Sequence, residues 1–179
     1  MNVRVDPGAV RSVFTTMEAD DLARFAPIDG VTVPVGLYVL EDVDTGADLV
    51  NVTPDDALPR ILAAGRSPLT IEEGLALLDR DPELLRTHNA FSLLASRCGD
   101  RRVPALWTSK GRPRLGWCWA GNPHSWLGSA SCAARTPTDA TSDPPHRLGR
   151  ARLAAQGELA SPRGSAHAVS ARRRRGPVT

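Results

Sequence analysis

The chain has 179 residues, of which 41% are apolar and 4% aromatic. This length allows one domain with a core, and the apolar fraction excludes a wholly disordered chain. The formal net charge of +2 conceals an asymmetry, because residues 1–100 carry 17 acidic and 8 basic side chains, whereas residues 101–179 carry 3 and 14. The charge pattern therefore predicts an acidic domain followed by a basic tail.

The first part of the chain predicts a short leading segment and a hairpin. Residues 1–23 contain Val3 and Val5, which are at most an edge strand, because Pro7 and Gly8 follow directly. Residues 37–52 predict a β-hairpin, since an apolar run rich in strand formers is followed by an Asp-Thr-Gly turn and a second apolar run.

Helix signals follow at once. Thr53 is a good N-cap with Pro54 in the first helical position, and this helix is expected to end at Gly65. Thr70 and Glu73 match a capping box and predict a second, amphipathic helix to about residue 79. A further helical turn is predicted over residues 82–85.

A second hairpin is predicted over residues 103–119. Its second strand carries Trp117 and Trp119 in alternation with glycine and cysteine, which is the period of a half-buried strand. The fold class predicted for residues 24–135 is therefore α+β, with two β-hairpins or one small mixed sheet packed on short helices.

Residues 136–179 form a compositionally distinct tail with five prolines, eight arginines and no aromatic residue. Such a segment buries too little apolar surface to offset its ordering entropy, so we predict disorder. The same bias suggests an out-of-frame extension of a GC-rich gene. The RRRR run at residues 172–175 gives only weak, nonspecific nucleic-acid contact, and we do not expect nucleic acid as the main partner.

The compartment follows from the cysteines and from the absence of targeting signals. The three cysteines (Cys98, Cys118, Cys132) and the lack of an apolar secretory segment argue against a disulfide scaffold. The longest uncharged stretch, residues 115–134, contains an Asn-Pro-His segment and three serines, which are unfavourable in lipid. We therefore predict a soluble cytoplasmic protein without a membrane partner.

One segment, residues 97–132, combines residue types that suit a binding site for a small ligand or a protein partner. Tryptophans offer flat apolar walls, arginines bind anions, and asparagine and histidine give directional hydrogen bonds. The candidate residues are Cys98, Asp100, Arg101, Arg102, Trp117, Trp119, Asn122, His124 and Trp126. A core position for the tryptophans is the alternative that their size favours.

Two catalytic or metal alternatives use the same segment. An enzyme would use Cys98 as a nucleophile, with its pKa lowered by nearby arginines and with His124 or His88 as base, or would use His124 itself. A zinc site would need Cys118, His124 and Cys132 with Cys98 or His88. Because the chain has no C-x-x-C pair, a metal is not predicted. Because it has neither a G-x-x-x-x-G-K-[ST] loop nor a G-x-G-x-x-G motif, no other cofactor is predicted.

Four stretches give a family resemblance: RFAPIDG (24–30), NVTPDDALP (51–59), SRCGDRRVPALW (96–107) and GWCWAGNPH (116–124). With them, residues 24–135 resemble a family of small proteins from high-GC bacteria known only as a domain of unknown function. The resemblance implies no activity. It implies a longer N-terminal region than residues 1–23, so we expect a truncated N-terminus, and an end close to Arg135.

Overall fold

The computed structural model describes residues 1–9, 13–85 and 90–138. Its helices are α1 (Ala19–Leu22), α2 (Pro54–Ala63) and α3 (Ile71–Arg80), and 3₁₀ turns cover Ala47–Leu49 and Pro82–Leu85. The strands are β1 (Val3–Val5), β2 (Phe14–Thr15), β3 (Ala26–Pro27), β4 (Tyr38–Glu41), β5 (Ser67–Pro68), β6 (Ala90–Ser92), β7 (Ser96–Arg97), β8 (Arg102–Ser109), β9 (Arg112–Trp119), β10 (Leu127–Ser129), β11 (Ser131–Cys132) and β12 (Ala134–Pro137). The predicted α+β class is confirmed. Within the described residues, no helix has the length and apolarity needed to cross a membrane.

Both longer helices begin where the sequence predicts. The Thr53 hydroxyl accepts a hydrogen bond from the Asp56 backbone N–H at 3.1 Å, and Pro54 occupies the first helical position of α2. The Thr70 hydroxyl accepts from the Glu73 backbone N–H at 3.3 Å, and the Glu73 carboxylate accepts from the Thr70 N–H at 2.8 Å. The capping box is thus complete, and the predicted turn after α3 forms as a 3₁₀ turn.

The largest sheet contains five strands in the order β10-β6-β8-β9-β2. Strands β8 and β9 pair along their whole length, from Arg102 opposite Trp119 to Ser109 opposite Arg112. Lys110 and Gly111 have positive φ angles of 51° and 73°, which suits a tight two-residue hairpin loop. The predicted second hairpin is confirmed, and parallel pairs of β10 with β6 and β2 with β9 make the sheet mixed.

The predicted hairpin over residues 37–52 is wrong. Only its first strand forms: β4 lies between β1 and β12 in a three-stranded antiparallel sheet, and residues 47–49 form a 3₁₀ turn instead of a second strand. Leu49 and Val52 pack on the small core cluster beneath α2. A short apolar run is compatible with a strand or a buried turn, and here tertiary packing selects the turn.

Both ends of the described chain belong to this three-stranded sheet. In β1, Val3 and Val5 are fully buried. At the other end β12 reaches Pro137, and the Thr138 backbone N–H donates to the Leu37 carbonyl at 2.9 Å. Residues 136–138 are therefore ordered, so the disorder predicted for residues 136–179 is wrong for these three. Residues 139–179, on which the rest of the disorder prediction falls, lie outside the described residues.

A buried ion pair joins β12 to α3. The Arg135 guanidinium donates from Nε to Glu73 Oε1 at 2.6 Å and from Nη2 to Oε2 at 2.8 Å, with the two side chains 7% and 0% exposed. Arg135 also donates to the Ser67 hydroxyl and the Pro68 carbonyl, and the Tyr38 hydroxyl donates to Glu73 at 3.1 Å. Burial, reinforced by the Glu73 charge, raises the pKa of Tyr38. The ion pair thus links α3, β4, β5 and β12.

Removing this carboxylate should strongly destabilise the fold. We expect Glu73→Ala to lower the free energy of unfolding by about 3–5 kcal/mol, because the Arg135 charge would remain buried without a counterion. Urea unfolding followed by circular dichroism measures the change. The matched control is Glu72→Ala, an exposed residue in the same helical turn, with a loss below about 1 kcal/mol.

If Glu73→Ala does not fold, Glu73→Gln supplies the measurement, since it keeps the size of the side chain and one acceptor oxygen but loses the charge. We expect it to be less stable than the Glu72→Ala control. Equal stability of the Glu73 variants and the control would contradict a structural role of the pair.

Candidate ligand-binding site

The β8–β9 hairpin and the segment that follows it enclose a pocket of about 240 Å³. We call it the tryptophan pocket, and its lining residues are Ala105, Trp107, Trp117, Cys118, Trp119, Asn122, His124, Trp126 and Leu127. Strands β8 and β9 supply the first five of these. The next three come from the segment that leads into β10, and Leu127 is the first residue of β10. The pocket is mostly apolar, and none of its lining residues is Asp, Glu, Lys or Arg.

Backbone hydrogen bonds fix the segment that carries Asn122 and His124. The Asn51 N–H donates to the His124 carbonyl at 2.8 Å, and the Asn122 N–H donates to the Trp119 carbonyl at 3.1 Å. Asn51 has a φ of 62°, a left-handed conformation that asparagine tolerates better than most residues. The backbone at Asn51, between the 3₁₀ turn and α2, therefore holds the segment in place across the pocket.

The indoles form two edge-to-face pairs. The ring centroids of Trp117 and Trp119 are 4.9 Å apart at 68°, and those of Trp107 and Trp126 are 6.5 Å apart at 68°. The exposed fractions of Trp117, Trp119 and Trp126 are 39%, 46% and 41%. These three residues therefore lie at the surface around a concave site. The alternative prediction, a core position, is wrong for them.

Gly116 allows Trp107 to lie directly on β9. A Cβ atom at position 116 would be 2.2 Å from Cη2 of the Trp107 indole, which is closer than any real contact of that kind. Glycine in a strand interior often marks such a close approach. Trp107 was not among the predicted site residues; the signal in the sequence was Gly116, on the facing strand of the hairpin.

Two polar groups in the pocket have no partner within the described part of the chain. His124 Nε2 is buried there without a hydrogen bond, and no described residue hydrogen-bonds the Asn122 side-chain amide. An unsatisfied buried polar group costs about 1–3 kcal/mol. This cost falls on His124 Nε2, and a ligand that reaches this atom would relieve it, whereas Asn122 is an exposed residue whose amide is open to solvent or to a ligand.

The Cys118 thiol also lines the pocket. Burial raises its pKa to about 11, an effect that the Arg97 charge only partly opposes. The thiol therefore stays protonated at neutral pH and is a poor nucleophile.

The other predicted site residues lie outside the pocket, in a network of ion pairs. Cys98 Sγ donates to Asp100 Oδ1 at 3.2 Å, and Arg102 donates to Asp100 from its backbone N–H at 2.8 Å and from Nε at 2.9 Å. Arg102 Nη2 also donates to Asp21 of α1 at 3.2 Å. Arg101, which is 69% exposed, pairs with Asp55 at 3.4 Å. These arginines thus have intramolecular partners and are not anion donors in the tryptophan pocket.

Within the described ranges, no group of three or more His, Cys, Asp or Glu side chains could hold a metal ion. Cys118 and His124 share the pocket, but Cys132 lies buried in the main core and Cys98 is bonded to Asp100. His88, the other ligand considered for zinc and the other candidate base, lies outside the described residues.

A family model matches residues 3–138. The chain belongs to the family of unknown function DUF5701. No curated protein and no solved structure matches it. The match confirms the resemblance and extends it on both sides of residues 24–135, so that it includes β1 and β12 of this DUF5701 fold.

The Asp100 network should give the domain a specific acid sensitivity. The Arg102 backbone N–H, the Cys98 thiol and the Arg102 side chain together lower the pKa of Asp100 to about 2, below the value of about 3.9 expected in the unfolded chain. Its stabilisation is therefore complete above about pH 4 and is lost as the pH falls towards 2. We expect Asp100→Asn to lower the urea midpoint at pH 7 and to lower it less at pH 3.

The control is Leu58→Ala, which removes no titrating group, so its deficit should be similar at both pH values. An Asp100→Asn deficit that does not shrink at pH 3 would contradict the assignment.

Gly116→Ala tests the contact between the Trp107 indole and Gly116. The added methyl group should displace the indole and lower the free energy of unfolding by about 1–3 kcal/mol, as overpacking does. It should also shift the indole N–H signal of Trp107 in ¹⁵N NMR spectra. Gly8→Ala is the control, because its nearest contact would be an ordinary 3.4 Å. An unchanged Trp107 signal would disprove the contact.

Proposed function

We propose that this DUF5701 domain is a binding module whose tryptophan pocket takes a small organic ligand. The observation that carries the proposal is the arrangement of three half-exposed indoles around a buried His124 Nε2 without a partner. Aromatic side chains contribute most to stability when they are buried, so three indoles left open around one cavity favour a surface that a partner covers.

The size of the pocket favours a small molecule over a protein surface. At about 240 Å³ it lies just below the range of about 300–1,000 Å³ that is typical of drug-sized ligands. A concave, mostly apolar cavity with a few convergent polar groups is the usual form of a small-molecule site.

The structure offers more support for ligand binding than for an enzyme that uses Cys98 or His124 as a catalytic residue. The Cys98 thiol is hydrogen-bonded to Asp100, and the raised pKa of Cys118 disfavours a thiolate beside His124. The third hypothesis, nucleic-acid contact through the Arg-rich tail, concerns residues outside the described part of the chain.

We further propose that the domain acts in the bacterial cytoplasm. The three cysteines are free thiols, and unpaired thiols suit a reducing compartment. The use of arginine for all basic residues except Lys110 supports an origin in a GC-rich genome.

Binding can be measured with small probes on the full chain. Benzyl alcohol, indole, cyclohexanol and choline are titrated while the indole N–H signals are followed by ¹⁵N NMR. We expect at least one probe to shift the Trp117, Trp119 and Trp126 signals saturably. Trp119→Ala should weaken that probe by about tenfold or more, as removal of an aromatic anchor does.

The control is Phe14→Ala, which removes an aromatic side chain that is 59% exposed and lies outside the pocket. It should leave binding unchanged. Equal binding by wild type and Trp119→Ala, or no saturable shift with any small molecule tried, would refute the proposed function.

A further inference from the structure

We propose, on the basis of the binding function above, that the tryptophan pocket selects a planar nitrogen heterocycle with neighbouring hydrogen-bond donor and acceptor atoms, such as the base of a free nucleoside. The indoles supply the stacking surfaces, and Asn122 and His124 recognise the edge of the ring.

The walls of the pocket favour a flat, aromatic occupant. All four of the chain's tryptophans line it, and indole faces bind planar π-systems in offset-stacked or edge-to-face geometry. Stacking of a base on an aromatic side chain contributes about 1–3 kcal/mol and tolerates different ring systems. A cavity of about 240 Å³ suits one such ring system better than an extended chain.

The two unpaired polar groups decide between a heterocycle and other aromatic-seeking ligands. The Asn122 amide presents a donor and an acceptor side by side, which matches the paired donor and acceptor on the edge of a base. His124 Nε2 adds one further donor or acceptor, according to its tautomer. Both groups would be satisfied by a heterocycle of this kind.

A quaternary ammonium ion is the main competitor, because aromatic cages bind such cations. Its ammonium group carries neither a donor nor an acceptor, and the single hydroxyl of choline or of cyclohexanol cannot match the side-by-side donor and acceptor of Asn122 and also pair with His124 Nε2. The lining also lacks a carboxylate that would balance the positive charge. The polar groups therefore favour the neutral heterocycle.

The experiment is isothermal titration calorimetry of the full chain with four nucleosides (adenosine, guanosine, cytidine and uridine), with choline, cyclohexanol and benzyl alcohol, and with a single-stranded oligonucleotide. Indole N–H signals in ¹⁵N NMR spectra locate the site. We expect at least one nucleoside to bind at least about tenfold more tightly than choline or cyclohexanol, and to shift the signals of Trp117, Trp119 and Trp126.

Two variants test the polar groups of the pocket separately from its aromatic walls. Asn122→Ala and His124→Ala should each weaken the best nucleoside by roughly tenfold, the effect of losing hydrogen bonds in a desolvated site, and should leave the affinity for benzyl alcohol within about twofold. Asn2→Ala is the matched control, since Asn2 lies outside the pocket and bonds the Asp42 N–H. A loss of nucleoside affinity that is equal in this control would contradict the role of Asn122.

The possible results distinguish this inference from the proposed function. If choline, cyclohexanol or benzyl alcohol shifts the pocket signals and no nucleoside does, the ligand class is wrong and the binding function stands. If a single-stranded oligonucleotide shifts them far more strongly than any nucleoside, the free-nucleoside assignment is overturned in favour of nucleic acid. If no compound shifts them, both proposals fail.

Discussion

The salt bridge between Arg135 and Glu73 is the contact on which the arrangement of the described chain depends. Burying two charges is unfavourable unless geometry and further hydrogen bonds compensate for lost hydration. Here the pairing is bidentate, and Ser67, the Pro68 carbonyl and Tyr38 satisfy remaining donors and acceptors. Because these partners come from α3, β5 and β4, the charges are compensated only when the elements are assembled together.

The segment from Trp126 to Arg135 connects the tryptophan pocket to the ion pair. From Trp126 the chain runs through β10, β11 and β12 to Arg135, so the strand that follows the pocket leads directly to the buried pair. Close backbone packing adds a second restraint. A Cβ on Gly128 would lie 2.5 Å from the Gly46 carbonyl oxygen, and one on Gly46, where φ is +80°, would lie 2.2 Å from the Ser129 carbonyl oxygen. Only glycines allow β10 to lie this close to the turn at residues 45–46.

The sequence separation of such contacts explains which parts of the fold the sequence could predict. The capping box at Thr70 and Glu73 is decided within a few residues and formed as predicted. The predicted hairpin over residues 103–119 is likewise closed by a local turn, at Lys110 and Gly111. The turn at residue 46 looked equally local, but its partner is β10, more than eighty residues later. Pairing between β4 and β12 spans a similar distance. Local patterns carry no information about such partners, so the hairpin over residues 37–52 was wrong.

The candidate site follows the same division. Trp119, Asn122 and His124 are close in sequence and share one pocket, whereas Arg102 turns to Asp21, about eighty residues earlier, and is paired there. The pocket itself has two structurally separate parts. The pairing of β8 with β9 and the contact of Trp107 with Gly116 fix most of the pocket walls. The hydrogen bond from the Asn51 N–H fixes the loop that carries Asn122 and His124. Under the proposed binding function, changes in that loop would alter which ligand is recognised without disturbing the hairpin, as expected where a rigid scaffold carries a binding loop.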